Sequence, residues 1–162
     1  MAIKEEIIQL LNEINDPEIP ILSVMDLGIV RDVKIDGEDL EVIITPTYSG
    51  CPAMEMIQTN IRKCLSEHGY KNHKLTIVLS PAWTTDWISE EGKNKLLSYG
   101  IAPPTPKQHT CKPALFHEQE AIQCPLCQSY NTRLISQFGS TPCKALYQCN
   151  DCLEPFDYFK CH

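Results

Sequence analysis

Two cysteine pairs near the C-terminus constrain this chain more than any other feature. Cys124-Pro125-Leu126-Cys127 and Cys149-Asn150-Asp151-Cys152 each place two residues between their sulfurs. That spacing lets both side chains of a tight turn point at one ion, and two such turns supply the four thiolates of a tetrahedral structural zinc site. The 21 residues between the pairs, 128–148, slightly exceed the usual spacing, and one longer hairpin loop absorbs the excess. Strand-like segments surround the turns at Thr132–Phe138, Ala145–Gln148 and Phe156–Phe159. A module of about forty residues seldom holds together through its core alone, so a metal is expected to supply much of its stability. Iron uses the same four ligands and stays open as the alternative metal. Disulfides are the alternative chemistry, and Cys143, Cys161 and His162 are spare ligands for a substituted shell.

The remaining cysteines divide the chain into two chemical regimes. Of nine, only Cys51 and Cys64 lie in the first hundred residues, and the other seven fall from Cys111 onward. Such richness in a cytosolic protein points to metal or thiol chemistry rather than to disulfides. Three blocks follow: an α/β domain over 1–101, a Pro-containing linker over 102–123 and the metal module over 124–162. In the linker, Pro103-Pro104-Thr105-Pro106 favours extended chain, and Cys111 and His117 read as incidental.

In the first domain a helical stripe of Ile3, Ile7, Ile8, Leu11 and Ile14 stops at Asn15-Asp16-Pro17. Asp26-Leu27-Gly28 is a turn, Ile29–Ile35 alternates as a half-buried strand, and Asp36-Gly37 signals a hairpin into Leu40–Ile44. Thr45–Met54 then connects that strand to a helix carrying Met54, Ile57, Ile61, Cys64 and Leu65 at three- and four-residue spacing. Gly50 permits a tight turn, and Pro52 suits the first helical position. Cys51 therefore stands at the helix entrance, where unpaired N–H groups and the dipole favour a thiolate; the alternative is a small buried hydrophobe, the role of most free cysteines. A third strand, Lys74–Leu79, is joined to the second through the helix and should run parallel to it. The loop Pro81–Trp87 and a short helix through Glu90 and Leu97 to Gly100 complete the domain.

A three-stranded mixed sheet of this order brings the Cys51 turn and the Pro81–Trp87 loop to one end. The candidate site is Cys51 with the acidic groups Asp16, Glu18 and Asp26. For Asp16 and Glu18 the commoner role is helix termination and solvation, and Trp83 and Trp87 read first as packing residues. A net charge of −7 argues against a nucleic-acid footprint. No apolar run approaches the length of a membrane span, and Met1–Glu6 lacks the apolar stretch of a signal peptide. The expected location is the cytoplasm.

Nearly the whole chain resembles a known family. The residues that carry the likeness are Asp16-Pro17-Glu18-Ile19-Pro20, Asp26-Leu27-Gly28, Thr45–Met54 and Ser80-Pro81-Ala82-Trp83-Thr84-Thr85-Asp86-Trp87. In the tail they are the paired cysteines, Phe138–Thr141, Cys143–Tyr147 and Glu154–His162. These motifs are similar to those of the PaaD-like phenylacetate-degradation proteins, also called the PaaJ subunit of phenylacetyl-CoA epoxidase. The first domain also resembles the iron–sulfur assembly family that includes SufT. The resemblance implies an accessory role in maturing metalloproteins, with Cys51 handling iron or a cluster in transit and zinc in the tail. It implies as partners the epoxidase components, above all the iron–sulfur reductase, with a homodimer left open. Two other classes stay in view: a thiol enzyme with Cys51 as nucleophile, and a scaffold that binds partners through the ribbon.

Overall fold

The computed structural model describes residues 2–48, 50–104 and 121–160, which fall into two compact units, Met1–Gly92 and Lys93–His162. Cys111, His117, Cys161, His162 and most of the expected linker lie outside the described residues.

The first unit opens with α1 (Ala2–Asn12), whose Ile7 and Leu11 are fully buried. β1 (Val30–Asp36) pairs antiparallel with β2 (Asp39–Ile44) across the expected hairpin. β2 alternates, sending Leu40, Val42 and Ile44 into the core. α2 (Ala53–Glu67) follows, burying Ile57, Ile61 and Leu65 at helical spacing. Each such side chain removed from water contributes about 1.5–3 kcal/mol. β3 (His73–Ile77) then lies parallel to β2, giving the order β1-β2-β3. The parallel pair follows from the intervening helix, because a crossover that long reverses the chain twice.

This topology decides what meets at the end of the sheet. β1 runs against β2, so Val30 pairs with Ile44, and the Thr45 N–H donates to the Ile29 carbonyl at 2.9 Å. β3 runs with β2, and the Val78 N–H reaches the Ile44 carbonyl at 2.9 Å. The Asp26–Gly28 turn before β1, the Cys51 turn after β2 and the loop after β3 therefore leave one end together. That loop contains a short 3₁₀ turn, Thr85–Trp87, capped by the Thr84 hydroxyl, which accepts from the Asp86 N–H.

α3 (Glu90–Ser98) spans the division between the units. The second unit is a four-stranded sheet of order β4-β7-β6-β5. β5 (Thr132–Ser136), β6 (Lys144–Cys149) and β7 (Pro155–Phe159) form an antiparallel meander. β4 (Ile101–Ala102) adds a parallel edge to β7. The sequence reading ends the first domain at this segment and assigns it no strand. Two residues carry no readable periodicity, and their partner lies more than fifty residues away. Ala145, Tyr147, Phe156 and Tyr158 make the core with Cys124 and Cys149. Tyr147 stacks on Phe156 and meets Tyr158 edge-on, with ring centroids 6.0 Å and 5.7 Å apart.

Gly28 is the most closely packed of the first unit's glycines. It sits at φ +68°, and a Cβ there would lie 2.4 Å from the Trp87 carbonyl oxygen. Backbone atoms cannot yield as a flexible side chain would, so Gly28→Ala should cost about 1–3 kcal/mol of stability. Denaturant unfolding of the variant measures this, and a wild-type midpoint would contradict it.

Candidate functional site

The four paired cysteines converge. The Sγ atoms of Cys124, Cys127, Cys149 and Cys152 all lie within 4.8 Å of one another. Cys124 and Cys152 are 3.8 Å apart and Cys127 and Cys149 are 3.5 Å apart. A tetrahedral ion with metal–sulfur bonds of about 2.3 Å needs sulfurs about 3.8 Å apart, so the shell has the right size. Both distances are far beyond the roughly 2.05 Å of a disulfide bond, and all four are free thiols.

The two turns that carry them are near copies. In the first, the Cys124 N–H donates to the Ser129 carbonyl at 2.8 Å, and in the second the Cys149 N–H donates to the Glu154 carbonyl at 3.0 Å. The residue after each second cysteine, Gln128 or Leu153, takes the left-handed conformation at φ 63° and 65°. That reversal lets the following backbone N–H turn back toward the sulfur. Cys149 accepts hydrogen bonds from the Cys152 and Asp151 N–H groups, which hold its thiol down at about 7. Cys152 receives the Glu154 N–H, yet burial and the sulfurs of Cys127, Cys149 and Cys124 push it up to about 12. Cys127 is raised as well: the Ser129 N–H favours its anion, but the hydrogen bond shared with Cys149, burial and the Cys124 sulfur together outweigh it. Four thiolates this close repel one another, and a divalent cation removes the repulsion.

Cys143 is outside this group. It is buried, with its sulfur 3.0 Å from the Thr141 hydroxyl. Among the described residues, the four paired cysteines form the one cluster able to hold a metal.

At the other candidate site, Cys51 is half-buried in the turn between β2 and α2. Gly50 has φ +79°, the left-handed conformation the tight turn requires. The helix begins one residue later than expected. Pro52 occupies the position before the first helical residue, and Cys51 precedes it, its carbonyl accepting from the Met54 N–H at 3.2 Å. Pro52 nevertheless already has helical backbone angles, φ −67° and ψ −24°, so the ring leads the chain directly into the helix.

The acidic residues are built into the neighbouring loops. Asp16 is buried, and its Oδ1 accepts from the Glu18 and Ile19 N–H groups at 2.7 and 2.8 Å. Glu18 is half-buried. Asp26 is buried too; its Oδ2 accepts from the Ser23 N–H at 3.1 Å and its Oδ1 from the Ser89 hydroxyl at 3.2 Å. Ser23 in turn donates from its hydroxyl to Asn12 Oδ1 at 2.8 Å. Trp83 is buried and donates from Nε1 to the Leu27 carbonyl at 2.7 Å. The Arg31 guanidinium carbon stacks 3.5 Å from the Trp87 ring centroid. Asp26, Leu27, Gly28, Trp83 and Trp87 therefore form one clamp at the sheet end that also bears the Cys51 turn. The two tryptophans pack, as the sequence suggested, and Arg31 is a partner that β-strand alternation alone did not single out.

Cys64 and both histidines of this unit lie elsewhere. Burial raises the Cys64 thiol, helped by the charges of Glu13 and Glu67. His68 caps the far end of α2, its Nδ1 2.8 Å from the Cys64 carbonyl oxygen, and His73 Nδ1 is 2.7 Å from the Tyr70 carbonyl oxygen.

The two units thus define a protein that joins a small α/β domain, with a thiol in its strand-to-helix turn, to a four-cysteine metal module. Known proteins share both halves. Residues 4–69 match the model of the iron–sulfur cluster assembly protein family, and residues 108–160 match the PaaD zinc β-ribbon domain. A putative 1,2-phenylacetyl-CoA epoxidase subunit of Escherichia coli (strain K12) is 49% identical over 156 residues, covering 96% of this chain and 92% of that protein. An Fe–S protein maturation auxiliary factor of Porphyromonas gingivalis (strain ATCC BAA-308 / W83) is 35% identical over 95 residues, 57% of this chain and 90% of the relative. Among solved structures, a domain of unknown function, DUF59, from Bacillus anthracis matches 59% of this chain and 92% of its own length. Its TM-score is 0.55 and its identity 26%. The chain belongs to the PaaD family of phenylacetyl-CoA epoxidase subunits. No helix among the described residues is long and apolar enough to cross a membrane.

The unequal thiols give the metal site a pH dependence. A thiol at about 12 is protonated at pH 7 in the metal-free cluster, and it must ionise to ligate. Metal uptake at pH 7 should therefore release at least about one proton per ion, with affinity falling as pH falls. Calorimetry in buffers of different ionisation enthalpy counts the protons, and uptake without release would contradict the assignment.

Proposed function

We propose that this chain is a cytoplasmic, non-catalytic accessory factor that helps mature a metalloprotein. Cys51 takes iron or an iron–sulfur cluster in transit, and the four-cysteine module, filled by zinc through Cys124, Cys127, Cys149 and Cys152, holds the partner. The client in this reading is the iron–sulfur reductase of the multicomponent oxygenase that epoxidises phenylacetyl-CoA. One observation carries it: a half-buried thiol at the open end of the sheet, in a domain that matches the iron–sulfur cluster assembly family. The names of the relatives, an epoxidase subunit and a maturation factor, support the choice of process and client.

A stable cluster ordinarily takes four protein ligands. A single thiolate is short of that number, which suits passage rather than storage, and the client or a second copy supplies the rest. Asp16, Glu18 and Asp26 enter this proposal by shaping the loops around the thiol. Among the described residues, the thiol-enzyme reading has no histidine base beside Cys51. A nucleophilic cysteine needs one within hydrogen-bond reach, and His68 stands at the opposite end of α2, about 22 Å along a 15-residue helix.

Cys51→Ser should leave the fold and the metal content of the tail unchanged while lowering client cluster content at least about tenfold when the client is made alongside it. The client's visible absorption and iron content are the readouts. Full client loading by the variant would sink the role given to this sulfur, and a defect only on disruption of the ribbon would favour a scaffold.

A further inference from the structure

The near-symmetry of the two cysteine turns is broken at one place. Between them runs a polar bridge that neither turn needs for its own geometry. The Asp151 carboxylate, inside the second turn, accepts from the Ser129 hydroxyl and from Asn131 Nδ2, the latter at 2.7 Å. Asn131 Oδ1 accepts in return from Asn150 Nδ2 at 3.0 Å, and the Asn150 N–H donates to the Asn131 carbonyl at 2.8 Å. Ser129 and Asn131 follow the first turn directly; Asn150 and Asp151 are the two residues between Cys149 and Cys152.

These residues also reach the sulfurs. The Ser129 N–H points at Cys127, and the Asp151 N–H points at Cys149, the sulfur 3.5 Å from Cys127. One bridge thus joins two residues whose backbone N–H groups solvate opposite members of a close sulfur pair. The Ser129 hydroxyl is further fixed by the Asn131 N–H at 3.0 Å. Every side-chain contact lies at an exposed surface, so little of its worth to overall folding comes from burial. Its geometric effect is specific: it limits how far the second turn can swing from the first. A four-ligand site loses its ion by opening one turn at a time, because no single step releases all four bonds.

We propose that Asp151, with Ser129 and Asn131, is the positioning residue of the metal site: the cross-turn bridge holds the sulfurs converged and keeps the ion from leaving. The inference rests on the four-thiolate metal reading and not on the role of Cys51. It predicts a retained ligand set with faster exchange when the bridge is cut. Outer contacts of this kind are typically worth 10- to 100-fold in metal affinity.

The test uses the full chain loaded with Co²⁺, displaced by excess Zn²⁺ and followed by the cobalt–thiolate absorption. In Asp151→Ala the bands should keep their position, since four sulfurs still bind, while displacement accelerates at least about tenfold. Ser129→Ala/Asp151→Ala should exchange no faster than Asp151→Ala, since both cut one bridge. If Asp151→Ala does not fold, Asp151→Asn, which retains one acceptor oxygen, should fall between it and wild type. Displacement within about twofold of wild type in both Ser129→Ala and the Asp151 variant, or rate effects that multiply independently, overturns the bridge. A wild-type chain that takes up no Co²⁺ overturns the metal reading itself, and the two failures are distinguishable.

Discussion

Four sulfurs within 4.8 Å of one another are the constraint on which the second unit depends. Side chains that can each carry a negative charge do not gather in a small β module unless something positive holds them. The shared hydrogen bonds leave the metal-free thiols unequal, with Cys149 lowered to about 7 and Cys152 pushed up to about 12. The surrounding sheet supplies little spare stability. Its core is a handful of side chains around Tyr147, and two of its fully buried members, Cys124 and Cys149, are themselves ligands. An ion bound by these sulfurs would therefore form one folding unit with the core.

The first unit solves a different problem. It carries a half-buried thiol at the end of a sheet whose loops are held against fraying. Hydrogen bonds within the loops do this work. Asp16 closes its own turn, and Asp26 ties the Ser23 turn to Ser89. Trp83 anchors the last loop to Leu27, and Gly28 admits Trp87 where a Cβ would not fit. A buried carboxylate satisfied by N–H and O–H donors is stable where an unpaired one would not be. Tied loops beside a half-buried sulfur are compatible with the transit role proposed for Cys51.

Local chemistry was legible in the sequence wherever one residue type has one use. The spacing of Ile57, Ile61 and Leu65 marked α2, the helix between two strands marked the parallel β2–β3 pair, and the cysteine pairs marked the cluster of four converging sulfurs. Gly50 marked its turn through the conformation only glycine adopts freely. Residues with several uses were not separable. Asp16 and Asp26 read as members of the candidate site, and only the buried hydrogen bonds show that the same carboxylates also cap loops. β4 depends on a pairing between distant segments that no local pattern encodes. Ser129, Asn131 and Asp151 look like ordinary surface polar residues until two turns are folded against each other.

X-ray absorption at the metal edge of the purified full-length chain tests the four-sulfur centre most directly. The expected spectrum shows one ion per chain, ligated by four sulfurs at about 2.3 Å with no lighter atom in the shell. A shell mixing nitrogen or oxygen with sulfur would remove one of Cys124, Cys127, Cys149 and Cys152 from the site. A chain purified without any metal, yet folded, would contradict the centre altogether.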